Sequence, residues 1–371
     1  MNRMPLRALA PWMVWALMGC MAAARAAEGV EAGSIHIGQS VALTGAAAQL
    51  GKPYAMGAKL YFDRLNARGG VHGRQVVLQT LDDGGQPETT LANTKKLLAG
   101  GAFALFGYYG SPQLTAAYPA IKDSNMVLFA PLAAADEFRG AMYPNVYSLR
   151  PGYSEEAAAL TRHALTLGTR NLAVLHAQDG ESLAALDSAE RTMSALGANL
   201  LIKAPLDAAQ KVLGSKAESV LVIGEPLGAA GAIKDLRGRG FRGPIYAFSI
   251  AGESLLAELL GPAGSGVIVS RVVPRSDNGK MEITRDLMAD LAAAQAGKPN
   301  VYILEGYLAA RVLAEALRNA GKDLNRIKLR KAIEALDEVS IGDFRVHFAQ
   351  ERVASRLVQL GVIDSNGRVR D

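Results

Sequence analysis

One rhythm constrains this chain more than any other feature. From residue 35 onward, short β-branched runs alternate with longer amphipathic stretches, and the alternation is completed twice. Apolar runs at 35–43, 76–81, 102–106, 127–130 and 145–149 predict five strands, and runs at 172–176, 199–202, 219–223, 244–248 and 267–273 predict five more. Helical patterns fall between them at 54–67, 89–98, 114–123, 155–167, 182–196, 227–239 and 254–260. Near-continuous apolar strands separated by helices require parallel sheets covered on both faces. The fold class is therefore α/β, with two doubly wound lobes. Helical segments at 281–295, 302–320 and 329–336 follow, then strand-like runs at 344–348 and 356–363. Helices that return after a second lobe is complete are expected to pack back on the first.

The 371 residues, half of them hydrophobic and a fifth charged, suffice for two cores and exclude a disordered or collagen-like chain. With one Cys, the chain cannot be a disulfide scaffold. The formal charge of +5 includes Arg3, Arg7 and Arg25, all ahead of the first acid, Glu28. Most of the excess basicity thus belongs to one terminal segment. No clustered basic face argues for nucleic acid.

That segment reads as an export signal over 1–27. Two arginines precede an apolar stretch, and Ala24-Arg25-Ala26 offers small side chains to a signal peptidase. Two alternatives remain open at this point: a membrane anchor, and lipidation at Cys20, since Leu17-Met18-Gly19-Cys20 is an imperfect lipobox.

Several motifs fail on chemistry. The glycines of Gly45-Ala46-Ala47-Ala48-Gln49-Leu50-Gly51-Lys52-Pro53 are spaced one residue too far for a phosphate loop, and Pro53 stands where a Mg²⁺-binding hydroxyl is needed. Gly238-Arg239-Gly240-Phe241-Arg242-Gly243 matches a dinucleotide fingerprint literally, but it follows a helix and precedes a strand, the reverse of what pyrophosphate binding requires. His36, His72, His163, His176 and His347 show no metal-ligand spacing, and no GxSxG elbow exposes a serine. Asp82-Asp83 reads as a turn and helix start, with a catalytic carboxylate pair as the lesser alternative. No catalytic set, cofactor or metal is expected.

Phe106-Gly107-Tyr108-Tyr109-Gly110-Ser111-Pro112-Gln113 is different. It places glycines, a serine and a proline between a strand end and a helix start. With Ser111 as N-cap and Pro112 as first helical residue, free N–H groups and a hydroxyl would face the crevice and suit a carboxylate, with Tyr108 and Tyr109 as walls. An ordinary capped helix with core tyrosines fits the same residues.

At this point the sequence resembles the type I periplasmic binding proteins of the leucine/isoleucine/valine-binding family. The matching stretches are Ile37-Gly38 to Leu43-Thr44-Gly45, Gly51, Asn66-Ala67-Arg68-Gly69-Gly70-Val71-His72-Gly73-Arg74, Leu81-Asp82-Asp83, the Gly107 to Ser111 loop, Val127-Leu128-Phe129-Ala130-Pro131 and Leu149-Arg150-Pro151-Gly152-Tyr153-Ser154-Glu155-Glu156. The resemblance implies two lobes joined by a multi-strand hinge, one formed by 34–148 with 276–340 and the other by 149–275 with 341–371. It implies a monomeric periplasmic receptor that closes on a small ligand and delivers it to ABC permease and ATPase subunits, without enzymatic activity. Carried over by position, Ser111 and its backbone N–H would hold the ligand carboxylate with Ala133 and Ala134 beside it, Tyr108, Tyr109 and Gly110 would belong to the same ligand-binding loop, and Tyr153, Gln178, Asp179, Glu225 and Ser249 would come from the second lobe. The sequence departs from the family at three of these places. Ala134 replaces a threonine, Asp179-Gly180 replaces a Tyr-Gly pair, and no acid stands near Ser249 for a ligand ammonium. Glu225 or Asp179 would then substitute, or the ligand is an amine-free organic or aromatic acid. A sensing module for a receptor or regulator is the alternative function.

Overall fold

The computed structural model describes residues 29–348 and 352–371. The proposed export signal, its cleavage site and Cys20 lie outside them. In the first lobe, β1 (Ser34–Val41), α1 (Ala48–Ala67), β2 (Gln75–Asp82), α2 (Pro87–Ala99), β3 (Ala104–Phe106), α3 (Ser111–Ala117), β4 (Leu128–Phe129) and β5 (Val146–Tyr147) alternate as expected. Their sheet has the order β2-β1-β3-β4-β5 and is parallel throughout.

The second lobe repeats the plan. It runs through α4 (Tyr153–Thr166), β6 (Asn171–His176), α5 (Gly180–Ala195), β7 (Asn199–Pro205), α6 (Ala209–Leu213), β8 (Ser219–Ile223), α7 (Pro226–Gly238), β9 (Ile245–Ala247), α8 (Glu253–Leu260) and β10 (Val267–Arg271). The parallel part of its sheet has the order β7-β6-β8-β9-β10, the same winding as the first. Two later strands, β13 (Gln359–Ile363) and β14 (Val369–Arg370), extend it antiparallel beside β10.

Side-chain alternation explains why both sheets are buried on two faces. Ala104, Phe106, Phe129 and Tyr147 face one core while Leu105, Leu128 and Val146 face another. In the second lobe Leu172, Val174, Leu221 and Ile223 are divided in the same way from Ala173, Leu175, Val220 and Val222. A period of two, with both phases apolar, leaves no face for water.

After β10 the chain returns to the first lobe through α9 (Glu282–Ala294), α10 (Val301–Asn319) and α11 (Arg326–Glu334). α10 lies against α1, and one glycine from each helix permits the approach. A Cβ on Gly57 would come within 2.0 Å of the Ile303 carbonyl oxygen, and one on Gly306 within 2.0 Å of that of Tyr54. The third crossing between lobes lies later than Ser340. The hairpin of β11 (Val339–Ile341) and β12 (Phe344–Val346) stays with the first lobe, because the Ile283 N–H donates to the Gly342 carbonyl and Phe348 packs on Phe129 and Tyr147. The crossing strands meet where Ser148 bridges Val353.

Candidate functional site

In an open parallel sheet, a crevice forms at the carboxyl ends of the strands where the winding reverses, because adjacent loops there turn in opposite directions. Both lobes have that reversal, between β1 and β3 and between β6 and β8, and the two crevices face each other. The cleft between them has a volume of about 560 Å³. Its walls come from the loops after β1 (Gly45 to Ala47), β2 (Gly84 to Pro87) and β3 (Tyr109, Gly110, Pro112), and across from them after β6 (Asp179 to Glu181), β7 (Leu206) and β8 (Glu225).

Polar groups cross this cleft at two places. At the first, Glu181 in the opening turn of α5 inserts its carboxylate into the first lobe. The Ser111 N–H donates to Oε2, and the Ala134 N–H (3.0 Å) and Tyr153 hydroxyl (2.8 Å) donate to Oε1. Glu181 is only 5% exposed. At the second, Glu225, the N-cap residue of α7, accepts from the Tyr109 hydroxyl (2.7 Å) and the Gln49 side-chain amide (3.1 Å). Burial raises the Glu225 carboxyl above its ordinary value, while the Tyr109 and Gln49 bonds pull it down and the charges of Asp179 and Glu181 push it up. Burial also holds the Tyr109 and Tyr153 hydroxyls well above theirs. The lobes touch closely here: a Cβ on Gly180 would lie 2.2 Å from Pro112 Cγ.

The expected site residues divide accordingly. Tyr109, Gly110, Asp179 and Glu225 line the cleft, and Ser111, Ala134 and Tyr153 surround the Glu181 carboxylate. The helix begins one residue earlier than expected, with Gly110 (φ 94°) as N-cap and Ser111 as its first residue. The Ser111 hydroxyl accepts from the Ala135 N–H (3.3 Å), so only its backbone faces the crevice. Tyr108 points the other way, fully buried with its hydroxyl paired to Thr94, because successive residues at a strand end face opposite sides. Ala133 is buried in that same core beneath the loop. Gln178 is exposed and pairs with His176 (3.3 Å) outside the cleft. Asp179 caps α5 by accepting from the Ser182 N–H (2.9 Å).

Ser249 belongs to a different structure, a buried charge cluster behind the cleft. Glu156 accepts from the Ser249 N–H (2.9 Å), the Ser249 hydroxyl (2.9 Å) and the Ser270 hydroxyl (2.6 Å). Arg150 pairs with Glu156 (3.1 Å), donates to Ser249 and lies 3.8 Å from Glu305 of α10. All three ionic side chains are at most 5% exposed. Burial works against the Arg150 charge, and Glu305 and Glu156 more than offset it, so its pKa is raised. An acid does stand beside Ser249 in space, Glu156, and it is paired with Arg150.

Glu181, Gln49 and Gln113 were not foreseen. An acid in a helix's first turn is a generic favourable placement, and nothing local shows that Glu181 reaches across to the other lobe. The cluster Asp337, Glu338 and His347 also escaped spacing arguments. All three side chains are exposed, and the His347 ring already bonds Asp337.

These features define a class: a two-lobed, doubly wound receptor whose binding space lies between facing switch points. The periplasmic binding protein family matches residues 34–368, and the chain belongs to that family, among its type I leucine/isoleucine/valine-binding members. The Leu/Ile/Val-binding protein BraC3 of Rhizobium johnstonii is 21% identical over 299 residues, 77% of this chain and 80% of its own length. An extracellular ligand-binding receptor from Verminephrobacter eiseniae shares the fold at TM-score 0.85 and 24% identity, covering 91% of this chain and 100% of the other. A substrate-binding periplasmic protein from Ralstonia solanacearum gives 0.83 at 26% identity, covering 90% and 99%. The family consists of substrate-binding proteins rather than enzymes, which supports a periplasmic solute-binding role. Among the described residues no helix is long and apolar enough to cross a membrane.

Proposed function

We propose that this chain is the solute-binding component of an ABC importer of the branched-chain-amino-acid type, closing on a small ligand in the cleft and presenting the closed form to permease and ATPase subunits. The observation that carries this reading is the pairing of the two lobes through side chains that line the space itself. Tyr109 and Gln49 of the first lobe meet Glu225 of the second, so a ligand lodged there touches both lobes at once. Only contacts that differ between open and closed states shift the balance between them, and a ligand bridging both lobes makes such contacts.

A carboxylate ligand was the expectation, seated on Ser111 and Ala134. Those amides already hold Glu181, so a ligand carboxylate reaches them only by displacing it. Calorimetry against amines, amino acids and short organic acids, combined with small-angle scattering, tests the receptor reading. At least one compound is expected to bind and to reduce the radius of gyration. A panel that neither binds nor alters the scattering would overturn it.

A further inference from the structure

Two helices of the second lobe, α4 and α5, rest on a single carboxylate of the first. Asp136 opens the short helical turn Asp136–Arg139 between β4 and β5. Its Oδ1 accepts from the Ser154 N–H (3.1 Å) and the Ser154 hydroxyl (2.7 Å) in the first turn of α4. Its Oδ2 accepts from the Ser188 hydroxyl (2.7 Å) in the middle of α5, with the Arg191 guanidinium 3.5 Å away. Both oxygens are therefore engaged by the other lobe. None of these four residues is among those that line the ligand cleft.

A glycine in α4 shows independently that this approach is built into the fold. The N-cap residue of α4 is Gly152, and its φ of −84° is one that any residue adopts, so backbone freedom does not explain it. A Cβ there would lie 2.2 Å from Asp136 Oδ1. The missing side chain makes room for Asp136, which then does from the opposite lobe what an N-cap side chain does locally. It accepts an orphan N–H and sets a negative charge at the positive end of the helix. Along α5, Gly180, Ala184 and Ser188 follow at four-residue spacing and, with Pro112, Ala116 and Asp136 of the first lobe, wall a second space between the lobes of about 810 Å³. Small side chains let α5 lie along the junction, held at Glu181 in its first turn and at Ser188 two turns later.

We infer that Asp136 is a closure latch: it fastens α4 and α5 to the first lobe without help from a ligand, so that the ligand-free protein populates the closed form, and it sets affinity from outside the cleft. Opening would draw α5 away and return Asp136 and the buried Ser188 hydroxyl to water. Hydrogen bonds to a charged acceptor contribute more than neutral ones, and three act here together. Arg191 adds little, because it is mostly exposed and also pairs with Asp187 (2.9 Å). The apparent affinity of a ligand that requires the closed form scales with the fraction of protein already closed. A weaker latch therefore weakens every such ligand by one factor, whatever its chemistry. This goes beyond the solute-binding reading, and it is read without any solute.

Single-molecule FRET on the ligand-free chain is the test. Dyes are placed on Thr89→Cys and Asp207→Cys, exposed positions next to opposite walls of the cleft, in a Cys20→Ser background that leaves no other cysteine. The native lobes are expected to show a population at the interlobe distance of this structure. Ser188→Ala removes one bond between the lobes and leaves Asp136 on α4, and alanine is the better helix former, so α5 itself is not weakened. It should lower the closed-to-open ratio about threefold or more. Asp136→Ala should lower it about tenfold or more, the scale of a hydrogen bond to a charged group, with circular dichroism showing that the variant folds. A native chain found only open would overturn the inference, as would a closed fraction that neither variant lowers. Opening by Asp136→Ala with none by Ser188→Ala would make Asp136 a cap of α4 alone, and would overturn it too. Each of these results leaves the receptor reading to the calorimetry described above.

Discussion

The charge cluster at Arg150 and the cleft at Glu225 lie on either side of the lobe junction, and both hold buried acids from the second lobe. They are balanced differently. Behind the cleft, Glu156 and Glu305 share one guanidinium, and two serine hydroxyls and an amide satisfy the remaining lone pairs of Glu156. Inside the cleft, Glu181 is satisfied by backbone amides of the opposite lobe, and Glu225 only by a phenol and a side-chain amide. The first arrangement sets a guanidinium of the protein itself between an acid of each lobe, Glu156 of α4 and Glu305 of α10. The second is complete only when the lobes are together, and it leaves negative charge facing the binding space. A receptor needs this asymmetry: a hinge that does not depend on ligand and a cleft that does.

The comparison can be broken most forcefully at Arg150. Arg150→Met strands Glu156 and Glu305 in the interior, and removing one member of a buried ion cluster is destabilising by about 3–5 kcal/mol. Urea unfolding should show that loss. A variant as stable as the native chain would mean that the cluster is not held as described. Tyr109→Phe acts on the other side and more gently. It removes a donor from half-buried Glu225, so the closed form should weaken by about 1 kcal/mol, less than a fully buried bond to a charged group contributes because water screens this one.

That variant also sharpens the pH behaviour. Burial raises the Glu225 carboxyl, so the closed state binds that proton more tightly than the open or unfolded chain does. Closure of the ligand-free protein should therefore strengthen as pH falls toward the raised value and weaken as pH climbs through it, with Asp179 and Glu181 adding to the repulsion. Losing the Tyr109 bond should move this transition to higher pH. Scattering measured across acidic to neutral pH reads both effects, and a profile indifferent to pH would remove Glu225 from closure. The smallest expected effect is at Asp179→Ala, which loses the α5 cap bond at a cost of about 1 kcal/mol. Thermal unfolding should show that loss, and a melting temperature equal to that of the native chain would mean that the cap bond contributes nothing.

Much of the architecture was legible because hydrophobic periodicity is a local property. Runs such as 219–223 and 267–273 can be buried on both faces only as central strands, and the paired rhythm required two lobes. Short edge pieces were not legible: α6, β11 and β14 carry too few residues for a period to show. The third crossing, expected near Ser340, was misplaced for a related reason. A hairpin reads the same whichever lobe it joins, and only its tertiary contacts, Gly342 with Ile283 and Phe348 with Phe129 and Tyr147, assign it.

At the site, the loop from Gly107 to Gln113 stood out because glycines, Ser and Pro at a strand end have few other uses. Which of Tyr108 and Tyr109 faced the cleft turned on a one-residue phase that composition does not encode. Glu181 was hidden more deeply. Its sequence position is that of any acid in a first helical turn, and its partners at Ser111 and Ala134 are 70 and 47 residues away.

Order along the chain thus determined the class of fold, the number of lobes and the loops that face one another, since these follow from burial of regularly spaced apolar side chains. The tertiary structure alone decided which carboxylate occupies the amides, which acid Arg150 neutralises and which charges the cleft leaves unanswered. Electrostatic and hydrogen-bond partners depend on distances of a few ångströms between segments remote in sequence, and those distances exist only once the two lobes have met.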